Sequence, residues 1–203
     1  GSAHAEVNAL QAAGEAARDA QAVVTLEPCS HTGRTGPCVE ALISAGVVRV
    51  TAAMQDPNPT VAGQGFQRLR DAGMEVIVGV EGKRAAALNP GFIRRMQTGR
   101  PRIRVKLAAS MDGRTAASDG SSQWISCDDS REDVHRLRAG SCAVVTGMGT
   151  VDADNPRLNA RLTEPVVQPL RVIIDSKGQL SSKAALFGVD GAVLVASAGP
   201  RRD

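Results

Sequence analysis

The sequence contains no tyrosine, one tryptophan and three phenylalanines in 203 residues. Single-stranded nucleic acid is held largely by bases stacked on aromatic rings, so this poverty argues against such a partner. No strong excess of one charge is present either. The 24 Lys and Arg against 21 Asp and Glu leave a formal net charge of +3. That is too little for DNA as the main partner, though small anionic substrates remain compatible. No run of eighteen apolar residues occurs, which excludes a helical membrane span, and no signal-peptide pattern opens the chain. Four unevenly spaced cysteines do not make a disulfide framework. Without an export signal, a reducing cytoplasm is the expected compartment.

What the chain does have is an alternation of short β-branched runs with helical ones. "HAEVNALQAAGEAAR" from His4 reads as an amphipathic helix, and "AVVTLE" (22–27) as a buried strand. Pro37 precedes the helical "VEALISAG", which Gly46 closes. "VVRVTAAM", "FQRLRDAG" and "MEVIVGV" continue as strand, helix and strand. Residues 83–101 are basic and broken by Pro and Gly, a connection between a first domain over 1–82 and a second over 102–203. The second domain restarts with strand "RIRVKLAAS" (102–110). It continues with helix "DSREDVHRLRAG", strand "CAVVTG", a loop "MGTVDADNPRLNAR", and strands "PLRVIID" and "AVLVASAG". Such alternation predicts an α/β fold around largely parallel sheets.

Two cysteines of the first domain, Cys29 and Cys38, each follow a proline and are separated by eight residues, too many for a redox Cys-x-x-Cys pair. With His4 of "HAE" they make a ligand set suited to Zn²⁺, and three protein ligands leave a fourth position open. Cys38 falls at a helix start, where the dipole favours the thiolate. Glu6, two residues after the histidine, is placed to move protons without ligating. This is the H-x-E … P-C pattern of zinc deaminases with a wider loop. A structural zinc is the rival reading and would want a fourth ligand, for which His31 is the candidate.

Together "HAEVNAL", "TLEPCSHTGRTGPCVEALISAGVVRV" and "MQDPNPTVAGQG" resemble the deaminase half of the bifunctional riboflavin-biosynthesis deaminase–reductases. In that family the wide loop between the cysteines is a hallmark. The resemblance implies a cytidine-deaminase-like α/β sandwich, with Glu6 catalytic and His4, Cys29 and Cys38 on zinc. It also implies that His31, Arg34 and Asp56 line the substrate site. Gly36 stands where the family usually has proline.

The second half extends the resemblance through "VKLAASMDGRTA", "SQWIS", "RLRAG", "TGMGTVDADNPRL" and "LRVIIDS". These resemble the reductase half, implying a partial dihydrofolate-reductase-like α/β domain. Carried over residue by residue, Ala108, Trp124, Thr150, Asp154 and Ser176 would contact NADPH. Ser122, Arg138, Leu158 and Arg161 would meet the substrate, with Lys106 and Asp154 catalytic beside the reacting carbon. The implied chemistry is hydrolytic deamination of 2,5-diamino-6-ribosylamino-4(3H)-pyrimidinone 5′-phosphate, then reduction of the ribosyl group by NADPH. The implied partner is thus a small phosphorylated pyrimidine rather than nucleic acid or membrane, and assembly with further copies of the chain stays open. The chain opens on Gly1 with a motif three residues in and stops soon after "AVLVASAG", so both ends read as interior to a longer protein. Three alternatives stand beside this reading. One is an inactive or partner-completed fragment serving as a zinc-stabilised scaffold. Another is a different nucleoside or nucleobase deaminase. The third is an NADPH-binding module whose deaminase half is dead.

Overall fold

A computed structural model describes residues 3–33 and 35–198. The chain divides into two compact units, Gly1–Val105 and Lys106–Asp203.

In the first unit α1 (Ala5–Ala13) starts where His4 leaves an extended backbone, and a 3₁₀ turn over Gly14–Ala17 carries the chain on to the sheet. Strands β1 (Gln21–Val24), β2 (Arg49–Ala52) and β3 (Glu75–Val78) pair parallel in the order β1-β2-β3. Arg49 of β2 stands opposite both Gln21 and Glu75, and its guanidinium meets the Glu75 carboxylate at 2.6 Å. Parallel neighbours require crossovers. Helix α2 (Cys38–Ser44) supplies one and α3 (Gln64–Asp71) the other. Their inward residues Val39, Leu42 and Leu69 bury against Val50 of β2, together with Val47 and Met74. Beyond β3 follow α4 (Gly82–Leu88) and α5 (Pro90–Thr98), the latter opened by a proline whose missing N–H costs nothing there.

Two expectations change in this unit. The ladder of β1 ends at Val24 rather than Glu27, and the strand is not buried throughout, since Val23 is 75% exposed. Among the described residues β1 pairs only with β2, and residues 25–27 turn away toward the start of α3. The expected strand over 102–110 does not form. Ile103, Val105 and Leu107 alternate as a strand should, but they are 80, 88 and 74% exposed. Alternation selects a face, whereas a strand also needs a neighbour to take its N–H and C=O groups. Among the described residues none pairs there, and the run forms no regular element.

The second unit holds α6 (Asp128–Ala139) and a parallel sheet of β4 (Ala143–Gly147), β5 (Leu170–Ile174) and β6 (Val193–Ala196), in that order. Where a loop was expected from Met148, a helix α7 (Met148–Asp154) follows β4 directly. Gly, Thr and Asp are weak helix formers. Val151 nevertheless buries with Leu158, Ile173, Ala184 and Leu186, and Met148 packs beside them, so tertiary burial overrides propensity.

Arg171 on the central strand is 1% exposed. Its guanidinium donates to the carbonyls of Leu186, Val189, Asp190 and Gly191, gathering the connection between β5 and β6 around one cation, and to that of Arg157 ahead of β5. The last residue of that face, Asp175, is equally buried and accepts the Leu180 amide at 2.8 Å. Replacing Arg171 by methionine would strand several carbonyls at once. The expected result is a loss of roughly 3 kcal/mol in denaturant unfolding of the second unit. A loss under about 1 kcal/mol would show that the carbonyls find other donors.

Candidate functional site

The candidate metal-ligating residues arrive from three separate segments. His4 sits at the N-cap of α1, Cys29 lies in the loop after β1, and Cys38 opens α2. The His4 Nδ1 lies 3.2 Å from Cys38 Sγ and 3.6 Å from Cys29 Sγ. The ligand atoms of the three residues all fall within 4.8 Å of one another. Zinc bonded to two sulfurs and a nitrogen at its usual lengths needs donor separations of about 3.6 Å, so this donor set fits it. The Cys38 amide also points at Cys29 Sγ, 3.3 Å away, an orientation that stabilises a thiolate. Without a cation, burial pushes the Cys38 thiol far above its usual range, and the nearby Cys29 and Glu6 add to the rise. A divalent cation reverses that balance.

Glu6 lies in the first turn of α1, half-buried, with its carboxylate beside the Cys38 thiol. It is thus next to the metal position without belonging to the ligand group. His31 is exposed in the loop between the cysteines and stands outside that group as well. Arg34 lies outside the described residues. Asp56 follows β2, half-buried, and its Oδ1 accepts the Asn58 amide at 2.8 Å.

Two residues of note carry little signal in the sequence, Glu27 here and His135 in the second unit. Glu27 is 4% exposed. Its Oε2 accepts the amides of Asp56 and Gly63 at 3.1 and 2.9 Å, and its Oε1 those of Gly65 and Phe66 at 2.8 and 3.3 Å. Only its place beside Pro28 and Cys29 hinted at a role; the partners lie 29 to 39 residues away.

In the second unit a cleft of about 420 Å³ is lined by Ser110, Arg114, Ser122, Trp124 and Ile125, among others. Trp124 is 70% exposed, with the Arg131 guanidinium 4.3 Å from its ring centroid. Lys106 and Ala108 lie on the irregular run that leads to Ser110. Thr150 and Asp154 are exposed on α7, and Ser176 is exposed just past β5. Gly147 and Gly149 have open space where a Cβ would stand, so a ligand can approach the backbone closely there. That opening and an accessible indole suit a dinucleotide.

Arg138 and Arg161 converge on Asn159. Arg138 donates to its backbone carbonyl at 3.2 Å and Arg161 to its side-chain oxygen at 2.8 Å. Neither arginine forms an ion pair among the described residues. Burial lowers the pKa of both, and their proximity to further arginines lowers it again. His135, also missed, joins them: its Nδ1 accepts the Arg161 amide at 3.3 Å. Burial first, then Arg161 and Arg138, pull its pKa below the usual value and favour neutral imidazole. Two arginines without an ion-pair partner among the described residues suit an anion. Leu158 beside them is buried yet held at φ 59°, a left-handed conformation that a branched side chain adopts only under constraint.

Compared with known proteins, residues 101–202 match the RibD C-terminal domain, and residues 1–54 match the cytidine and deoxycytidylate deaminase zinc-binding region. The riboflavin biosynthesis protein RibD of Escherichia coli is 51% identical over 193 residues, covering 89% of this chain and 53% of that protein. That of Haemophilus influenzae is 47% identical, covering 99% of this chain and 57% of its own length. Acinetobacter baumannii RibD superposes with a TM-score of 0.92 at 48% identity, over 99% of this chain and 57% of that one. A Thermotoga maritima diaminohydroxyphosphoribosylaminopyrimidine deaminase/5-amino-6-(5-phosphoribosylamino)uracil reductase gives 0.88 at 40% identity, over 98% and 57%. The chain therefore spans little more than half the length of these relatives. By its matched domains and its likeness across both units, it belongs to the RibD family.

Proposed function

We propose that the first unit deaminates a diaminopyrimidine ribonucleotide with zinc held by His4, Cys29 and Cys38, and that the second reduces the ribosyl group of the product with NADPH. The observation that carries this reading is the convergence of one imidazole and two thiols from three segments, with a free carboxylate beside them. Zinc in that position supplies the Lewis acidity that makes water nucleophilic near neutral pH. Glu6 takes the proton that water gives up and returns it to the departing amine nitrogen, the task of a general base that becomes a general acid. Asp56 and the loop bearing His31 and Arg34 orient the pyrimidine and its phosphate. Release of ammonia leaves a ring carbonyl.

In the second unit NADPH supplies the hydride. Trp124 and Ala108 hold the cofactor across the cleft, with Thr150, Asp154 and Ser176 along its remaining length. Arg138 and Arg161 take the substrate phosphate, an assignment favoured by their lack of an acidic partner among the described residues. Ser122 and Leu158 bound the sugar, and Lys106 stabilises charge at the reacting carbon while Asp154 orients it. Among the described residues no helix is long and apolar enough to cross a membrane, in keeping with a small-molecule substrate met in water.

Elemental analysis tests the metal assignment. The chain should carry about one zinc, and Cys29→Ser should lose most of it; full zinc in that variant would remove Cys29 from the set. Glu6→Gln should keep the metal while ammonia release falls by about 10³-fold or more. Equal turnover would take the proton transfer away from Glu6. For the reductase, Arg138→Ala should raise the substrate KM by about 10-fold or more and leave the NADPH KM nearly unchanged. The reverse pattern would place the phosphate site elsewhere.

A further inference from the structure

Glu27 belongs to no ligand set, yet it joins two segments that the chemistry needs in register. It stands two residues before Cys29, and its carboxylate is buried without any cation within ion-pairing distance among the described residues. Its charge is instead spread over four backbone amides. Three of these belong to the N-terminus of α3, where Gly63 holds the N-cap position and has no side chain to accept them. Glu27 takes the place of that missing cap from the far side of the sequence. The fourth amide belongs to Asp56.

Gly65 makes the contact intimate. A Cβ there would stand 2.1 Å from the Pro28 carbonyl and 3.1 Å from Glu27 Oε1. The helix start is therefore pressed directly onto the Glu27–Pro28 backbone that leads into Cys29. Few degrees of freedom remain between the thiol of Cys29 and the carboxylate of Asp56.

We infer that Glu27 is a positioning residue that sets the distance between the metal ligand Cys29 and the substrate loop at Asp56, and so governs how substrate binds more than whether metal does. This rests on the deaminase reading above. A glutamine at this position keeps one acceptor oxygen but turns an NH₂ toward amides that also donate, so part of the clamp must open. Aspartate keeps both oxygens on a shorter arm.

The test compares Glu27→Gln and Glu27→Asp with the wild-type chain by zinc content, amide hydrogen exchange and steady-state deamination of the diaminopyrimidine ribonucleotide. In Glu27→Gln, exchange at Asp56, Gly63, Gly65 and Phe66 should quicken by roughly 10-fold or more. Zinc should stay at the wild-type level. The KM should rise by about 10-fold with kcat within about 3-fold, and Glu27→Asp should recover part of that loss. Unchanged exchange or an unchanged KM in Glu27→Gln would overturn the inference. So would loss of fold or of zinc in both variants, which would make Glu27 a stability residue alone. If the wild-type chain deaminates nothing, the deaminase reading fails by itself, and exchange at the four amides with zinc retained then decides the clamp.

Discussion

Four backbone amides meeting one buried carboxylate hold the first unit in its working shape. Glu27 brings a full negative charge into a place water does not reach, which is costly unless every lone pair is used. The structure meets that cost with charge-assisted hydrogen bonds and with the positive end of α3. Much of the surrounding geometry follows. The strand β1 must end early so that Glu27 can reach, Gly63 can do without a capping side chain, and Gly65 must remain glycine.

The second unit solves the same problem with the signs reversed. There a buried cation, Arg171, gathers carbonyl oxygens, where Glu27 gathers N–H groups. In both units the anchored segments are connections to parallel strands. Such sheets place ligands outside the carboxyl ends of their strands. Cys29 and Asp56 follow β1 and β2, while Thr150 and Ser176 follow β4 and β5. Rigid anchors under these connections let irregular backbone carry chemistry without wandering.

The chemistry of the metal site was readable because its signal is local. A histidine two residues from a glutamate, and two Pro-Cys pairs, can be recognised without knowing what lies across the fold. The alternation of strand and helix was equally local, and most elements stand within a few residues of where periodicity put them. What escaped was long-range. Glu27 looks like any polar residue before a proline until α3 is folded against it, and His135 looks like one position on a solvated helix until Arg161 arrives. The run through Ile103, Val105 and Leu107 shows the converse failure, a correct pattern with no partner among the described residues to complete it. Helix α7 was hidden by residues with poor helix propensity, and only the burial of Val151 reveals why it forms.

The three proposed zinc donors come from an N-cap, a loop past β1 and the first residue of another helix, spread over 34 residues of chain. No short stretch could hold the ion alone. The ion can be bound in this way only when α1, β1 and α2 are already in place, and binding it holds them there in turn. With zinc held there, its free concentration would act on the conformational equilibrium of the first unit, adding stability that grows with the logarithm of free zinc above its dissociation constant. A chelator, by the same linkage, would act as a denaturant of that unit.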